Sequence, residues 1–226
     1  MKELYFEEQF SEETGFLDVW VEVGSVEIRP GNSRVVTVEA EVENCIVTVH
    51  EKDNTVFVES HVAKENQGGW LERIANGNMQ TKANLIIHVP PTCEIKAKTI
   101  TGKLDIREIN APISAKVTTG KASLVDIGGP IYAKLVTGKL NYEGILVNGN
   151  HRFETTTGSI HLCLAKEPNA QLNAATTTGS LHCDFPLSNE QRNMRYSGGK
   201  IRGTLGSGEG KLKVKTTTGS LNVMHA

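Results

Sequence analysis

Lysine recurs in this chain at two fixed distances from a repeated glycine. Lys98, Lys116 and Lys134 each stand four residues before a glycine, and Lys103, Lys121 and Lys139 each stand one after it. If those glycines stack in space, the lysines form two columns of ammonium groups about 4.8 Å apart. Like charges in a ladder repel, so an anion running along the columns would relieve a built-in cost. The expected ligand is an anionic polymer, a cell-envelope component or a protein partner, held by attraction that fades as salt rises. The other reading is a solvated face that keeps strands from pairing with foreign ones. No aromatic residue interleaves with the two columns, so base stacking and sequence-specific nucleic-acid recognition are not expected.

Other candidate chemistry is thinner. His161 and His182 each lie three residues after a repeated glycine, and two stacked outward imidazoles could bind a metal. Asn141, Arg202 and Asn222 complete that column and are poor ligands, so neither a metal site nor a cofactor is expected. Asp105, Glu143 and Asp184 are carboxylates at outward offsets, but none forms a pair on adjacent coils. No G-x-S-x-G, H-E-x-x-H or phosphate loop occurs, and no catalytic residue is assigned.

The four cysteines, Cys45, Cys93, Cys163 and Cys183, have neither CxxC nor zinc spacing. They read as isolated thiols, although Cys163 and Cys183 are about one repeat apart and a disulfide is conceivable in an exported chain. The start, MKELYFEEQF, is acidic and polar and is not a signal peptide. No stretch approaches the ~20 apolar residues of a membrane helix. A cytoplasmic location is expected for the chain as written, with a surface or exported location as the alternative for a trimmed chain. Charge is split. Residues 1–95 carry 17 acids and 7 bases, and residues 96–226 carry 9 acids and 17 bases. Two such parts either attract each other or present two functional surfaces.

The element that positions the lysines is a repeat. Its glycines are Gly102, Gly120, Gly138, Gly158, Gly179, Gly199 and Gly219, at steps of 18, 18, 20, 21, 20 and 20 residues. Seven before the glycine stand Ile95, Ile113, Ile131, Leu172 and Leu212; five before stand Ala97, Ala115, Ala133, Phe153, Ala174, Met194 and Val214. After the glycine the apolar positions are even, as in Leu104, Ala122, Leu140, Ile160, Leu181, Ile201 and Leu221. Strand side chains alternate with period 2, so this slip of one demands a bulge or corner. A further slip is expected at Ile109, Ile127 and Ile145. Each repeat is therefore strand, corner, strand, turn. The threonines of TTTGS form ladders beside the corner. Flat threonine arrays can bind ice, but here one threonine position has inward parity.

The expected fold is all-β: a single-stranded right-handed β-helix of about 18–21 residues per coil, covering 95–226. Residues 1–94 form an N-terminal β layer that caps it, in one continuous domain. Within this layer EKDN (51–54) reads as a hairpin turn, Gly24 as an early coil corner and Pro90 as the end of a strand. WLERIA (70–75) reads as one helical turn.

VEVGSVEIRPG, then LIIHVPPTCEIKAKTITGKL, then tandem TTG[KS] repeats resemble the bacterial putative-adhesin family, a β-strand-repeat domain of unknown function. The resemblance runs from about residue 16 to the end. It implies a right-handed β-helix and no characterised activity. The resulting expectation is a non-enzymatic, adhesin-like scaffold that binds or assembles through its surface. The alternative is a polysaccharide-active β-helix lyase or hydrolase.

Overall fold

The computed structural model describes residues 1–31, 34–63 and 81–226. These residues form sixteen strands and no helix. The helical turn expected over 70–75 lies outside the described residues.

The solenoid-like core is four strands in parallel register: β7 (Glu94–Arg107), β8 (Ile113–Val125), β9 (Ile131–Gly144) and β10 (Asn150–Leu164). Gly102 pairs with Gly120, Gly120 with Gly138 and Gly138 with Gly158, so the corners stack. Each corner glycine has φ near +140°, a conformation L side chains rarely adopt. The inward residues change parity there, as the apolar pattern requires. Ile95, Ala97, Leu104 and Ile106 are buried on β7, and Ile131, Ala133, Leu140 and Tyr142 on β9. The residues between them face water, so the two halves of each strand form two outer faces meeting at the corner.

The corner threonines split by parity. Thr99, Thr155, Thr176 and Thr216 are buried. Thr101, Thr119, Thr137 and Thr157 stand exposed along the ridge. The Thr176 hydroxyl donates to the carbonyls of Thr178 and Gly219, and that of Thr216 to Gly158. These hydrogen bonds tie the side chain to the backbone of the corner.

The N-terminal strands are β1 (Lys2–Gln9), β2 (Phe16–Pro30), β3 (Val35–Glu43), β4 (Cys45–Lys52), β5 (Thr55–Val62) and β6 (Lys82–Val89). Gly24 of β2 stacks on Gly102, so β2 is itself a bent coil of the stack. Its first half pairs with β5 and its second half with β6. Beyond these, antiparallel β4 continues the first face, and β3 and β1 continue the second. The hairpin between β4 and β5 turns at Asp53 and Asn54, both at positive φ.

The C-terminal part departs from the simple repeat. Its strands are β11 (Ala170–Thr178), β12 (Leu181–Cys183), β13 (Ser188–Arg195), β14 (Gly198–Leu205), β15 (Gly210–Thr218) and β16 (Leu221–His225). The last coil, β15 and β16, is inserted between β10 and the β11–β12 coil. Gly219 therefore stacks on Gly158, and Gly179 on Gly219. Gly199 is no corner. It lies on β14, which runs antiparallel to β11 and to β13. Met194, expected inside, is 52% exposed, because SNEQRNMR has no apolar face and every residue of β13 is exposed. Ile145 is also exposed, and Leu146 is buried in its place, since β9 runs on to a positive-φ Gly144.

One inward position of β10 holds a histidine. His151 is buried opposite Leu212, in the row of Ile113 and Ile131. Its Nε2 bonds the Val147 carbonyl at 2.8 Å and so carries the hydrogen, while Nδ1 is buried without a partner among the described residues. Burial pushes this imidazole below its ordinary value. Above a pH of about 6.5 both folded and unfolded chains hold it neutral. As pH falls below that, the unfolded chain takes up the proton first and stability declines until the lowered folded value is passed. Melting temperature is therefore expected to drop between pH 7.5 and 5.5, and His151→Leu should flatten that dependence. An equally steep profile in the variant would assign the effect elsewhere.

Candidate functional site

The lysine columns form as expected, but on two different faces. Lys98, Lys116 and Lys134 pair in register on the first face, and Lys103, Lys121 and Lys139 on the second. The exposed threonine ridge runs between them.

The first face extends the column further. Glu154 follows Lys134 on β10, and Lys215 of the inserted β15 follows Glu154. Lys211 and Lys213 sit on the same face of β15. β14 adds Lys200 and Arg202 beside Ala175 and Asn173. From β7 to β14 this face holds Glu94 and Glu154 as its acids. Partial burial pushes the Glu154 carboxyl up, but hydrogen bonds and charge from Arg152 and Lys213 outweigh it and hold it below its ordinary value. Lys98, Lys116, Lys134, Lys211 and Lys215 form no ion pair among the described residues. Lys96 is tied to Asp18 at 2.6 Å.

An aromatic residue does lie within this face. Tyr132 has Lys116 Nζ 5.6 Å and the Arg152 guanidinium 5.4 Å from its ring centre. Such cation–π contacts hold both basic side chains in place. Lys215 was findable from sequence, since it stands four before Gly219 as Lys98 does before Gly102. Chain order hid it, because Gly219 reads as far from Gly138 in a simple stack. Tyr132 was hidden because it lies two residues from the column, and only strand pairing places it beside Arg152.

The histidine pair is not adjacent. His161 pairs with Asn222, and Asn222 with His182, so β16 separates the imidazoles. Asn222 bonds His161 at 3.1 Å, and His182 bonds Asp184 at 2.5 Å. Among the described residues no three His, Cys, Asp or Glu side chains gather to hold a metal. The cysteines are also apart. Cys183 faces the core, whereas Cys163 is half-buried at the opposite parity beside Met224, and all four thiols are free. Burial pushes the Cys93 thiol up to about 12.

The carboxylates do not converge. Glu143 and Asp184 share a column but lie three strand spacings apart, about 14 Å. That exceeds the ~5–9.5 Å separation of a glycosidase pair. Asp105 is closed by a 2.6 Å ion pair with Arg107.

A search of curated proteins gives no match. A solved structure titled a putative cell adhesion protein from Clostridium sporogenes is similar over 100% of both chains, at 15% identity and a TM-score of 0.52. At that identity the likeness is one of fold. A putative adhesin from Parabacteroides merdae aligns over 100% of this chain and 96% of its own, at 13% identity and a TM-score of 0.31, too low to bear on the fold. The Toastrack DUF4097 family matches residues 92–224, the stacked coils with their corner glycines and both lysine columns, and this chain belongs to that family.

Proposed function

We propose that the protein is a non-enzymatic binding scaffold whose basic first face holds a linear polyanion, such as an anionic cell-envelope polymer. The observation that carries this reading is the lysine column continued in register from β7 through β9 and resumed on β15. Strand pairing spaces its ammonium groups by about 4.8 Å, and the polymer runs along the stack, across the strands. Lys103, Lys121 and Lys139 flank the lane beyond the corner. The cell-adhesion name of the Clostridium sporogenes protein agrees with a binding role. The coil is right-handed, as strand twist favours, with residues 1–94 as its cap; an experimental backbone trace checks both.

The test is retention on immobilised heparin at low and high salt. The parent should be retained at low salt and released as exposed charges are screened over ~8 Å. Lys116→Glu with Lys215→Glu should elute at clearly lower salt. A parent that flows through, or a double variant retained equally, leaves the lysines as a solvated face. Product released from uronic-acid polymers by pure protein would favour the enzyme reading instead.

A further inference from the structure

We infer that the second face docks onto the second face of another copy of this chain, about a two-fold axis running along β2 through Ser25. One column of side chains on that face reads, strand by strand, Glu3, Glu41, Asn84, Ser25, Lys103, Lys121, Lys139. Carboxylates stand at one end and ammonium groups at the other, with Ser25 at the midpoint. An isologous interface must be self-complementary, and this column is. Rotation about the axis sets Glu41 opposite Lys121 and Glu3 opposite Lys139, with each contact made twice.

The charges in this column are unspent. Glu3, Glu41, Lys103, Lys121 and Lys139 form no ion pair among the described residues. In the neighbouring columns Glu27 is closed by Arg29 at 2.5 Å and Asp105 by Arg107 at 2.6 Å. Those pairs neutralise each other within one chain and neither drive nor oppose docking. Glu7 and Glu143, at the two ends of a further column, face each other about the axis as a like-charge contact that the Glu41–Lys121 and Glu3–Lys139 contacts outnumber.

Shape agrees with charge. A recess of about 620 Å³ lies on the acidic half of the face. Its floor includes Ser25 and Asn84, joined by a 2.8 Å hydrogen bond, and its walls include Glu3 and Glu41. The extended, exposed lysines of the second copy are long enough to enter it, placing ammonium groups against the carboxylates. Two sheets packed this way align their strands.

Sedimentation across a concentration series tests the inference independently of polymer binding. The parent should form a dimer at low salt that dissociates as salt rises. Lys121→Glu and Glu41→Lys should each weaken dimerisation about 100-fold or more, because each sets like charges together twice. The double variant Lys121→Glu/Glu41→Lys restores both copies of that contact with the sign reversed and should restore the dimer. Lys116→Glu, on the first face, should leave the dimer intact while lowering heparin retention. A parent that stays monomeric, a parent that grows without a dimer plateau, or a double variant no tighter than the single ones would overturn the inference.

Discussion

Gly120→Ala is expected to leave the chain unable to reach its folded state. Two effects add. Gly120 has φ +142°, where an alanine is strained. A β-carbon there would also lie inside contact distance of the Gly102 carbonyl oxygen and 2.8 Å from its carbonyl carbon. Both obstacles are backbone of the neighbouring coil, which cannot turn aside. The cost should exceed ~4 kcal/mol, a large part of the ~5–15 kcal/mol that holds a typical domain together. Gly149→Ala is the control. Its β-carbon would meet nothing nearer than 3.7 Å, and a shift within about 1 kcal/mol is expected. The measurement is thermal melting by circular dichroism. If Gly120→Ala melts with the parent, the stacked-corner geometry is wrong.

Leu140→Asp should be nearly as damaging. Leu140 is fully buried, paired across to Ala122 and Ile160 in the neighbouring coils. A carboxylate there would be enclosed by side chains unable to bond it, at a cost of several kcal/mol. Asn141→Asp, one residue further on, changes an outward side chain and should move stability by about 0.5 kcal/mol or less. The contrast between adjacent positions tests the parity of the strand. Urea unfolding of both variants reads it directly, and equal midpoints would place Leu140 outside.

The parallel coils were legible because each repeats the same parity at the same distance from a glycine. Ile95, Ile113 and Ile131 therefore announced one inward row, and Lys98, Lys116 and Lys134 one outward row, before any coordinate. The order of coils was not legible. Nothing local distinguishes β15 from a coil that follows β11 directly, since the insertion is decided by which strand best fills the place beside β10. That ambiguity misplaced His161 against His182 and hid Lys211, Lys213 and Lys215 from the basic face. Gly199 was misread for a different reason. Its spacing matches, but YSGGK lacks the threonine that precedes Gly102, Gly120, Gly138, Gly158, Gly179 and Gly219, and SNEQRNMR lacks an inward apolar row. Those two absences mark the β13–β14 hairpin. The acidic half of the second face needed the pairing of β1 with β3, which composition alone does not give.

The inserted coil also bears on how the protein is made. Translation delivers β11 and β12 before β15 and β16, yet the place next to β10 belongs to the later pair. β11 presents Leu172, Ala174 and Thr176 inward and runs into the corner TTTGS, and β15 presents Leu212, Val214 and Thr216 and runs into the same five residues. The earlier segment therefore presents the same inward row and the same corner as the later one. The native order is completed only when the later coil, the last to be made, takes its place between β10 and β11.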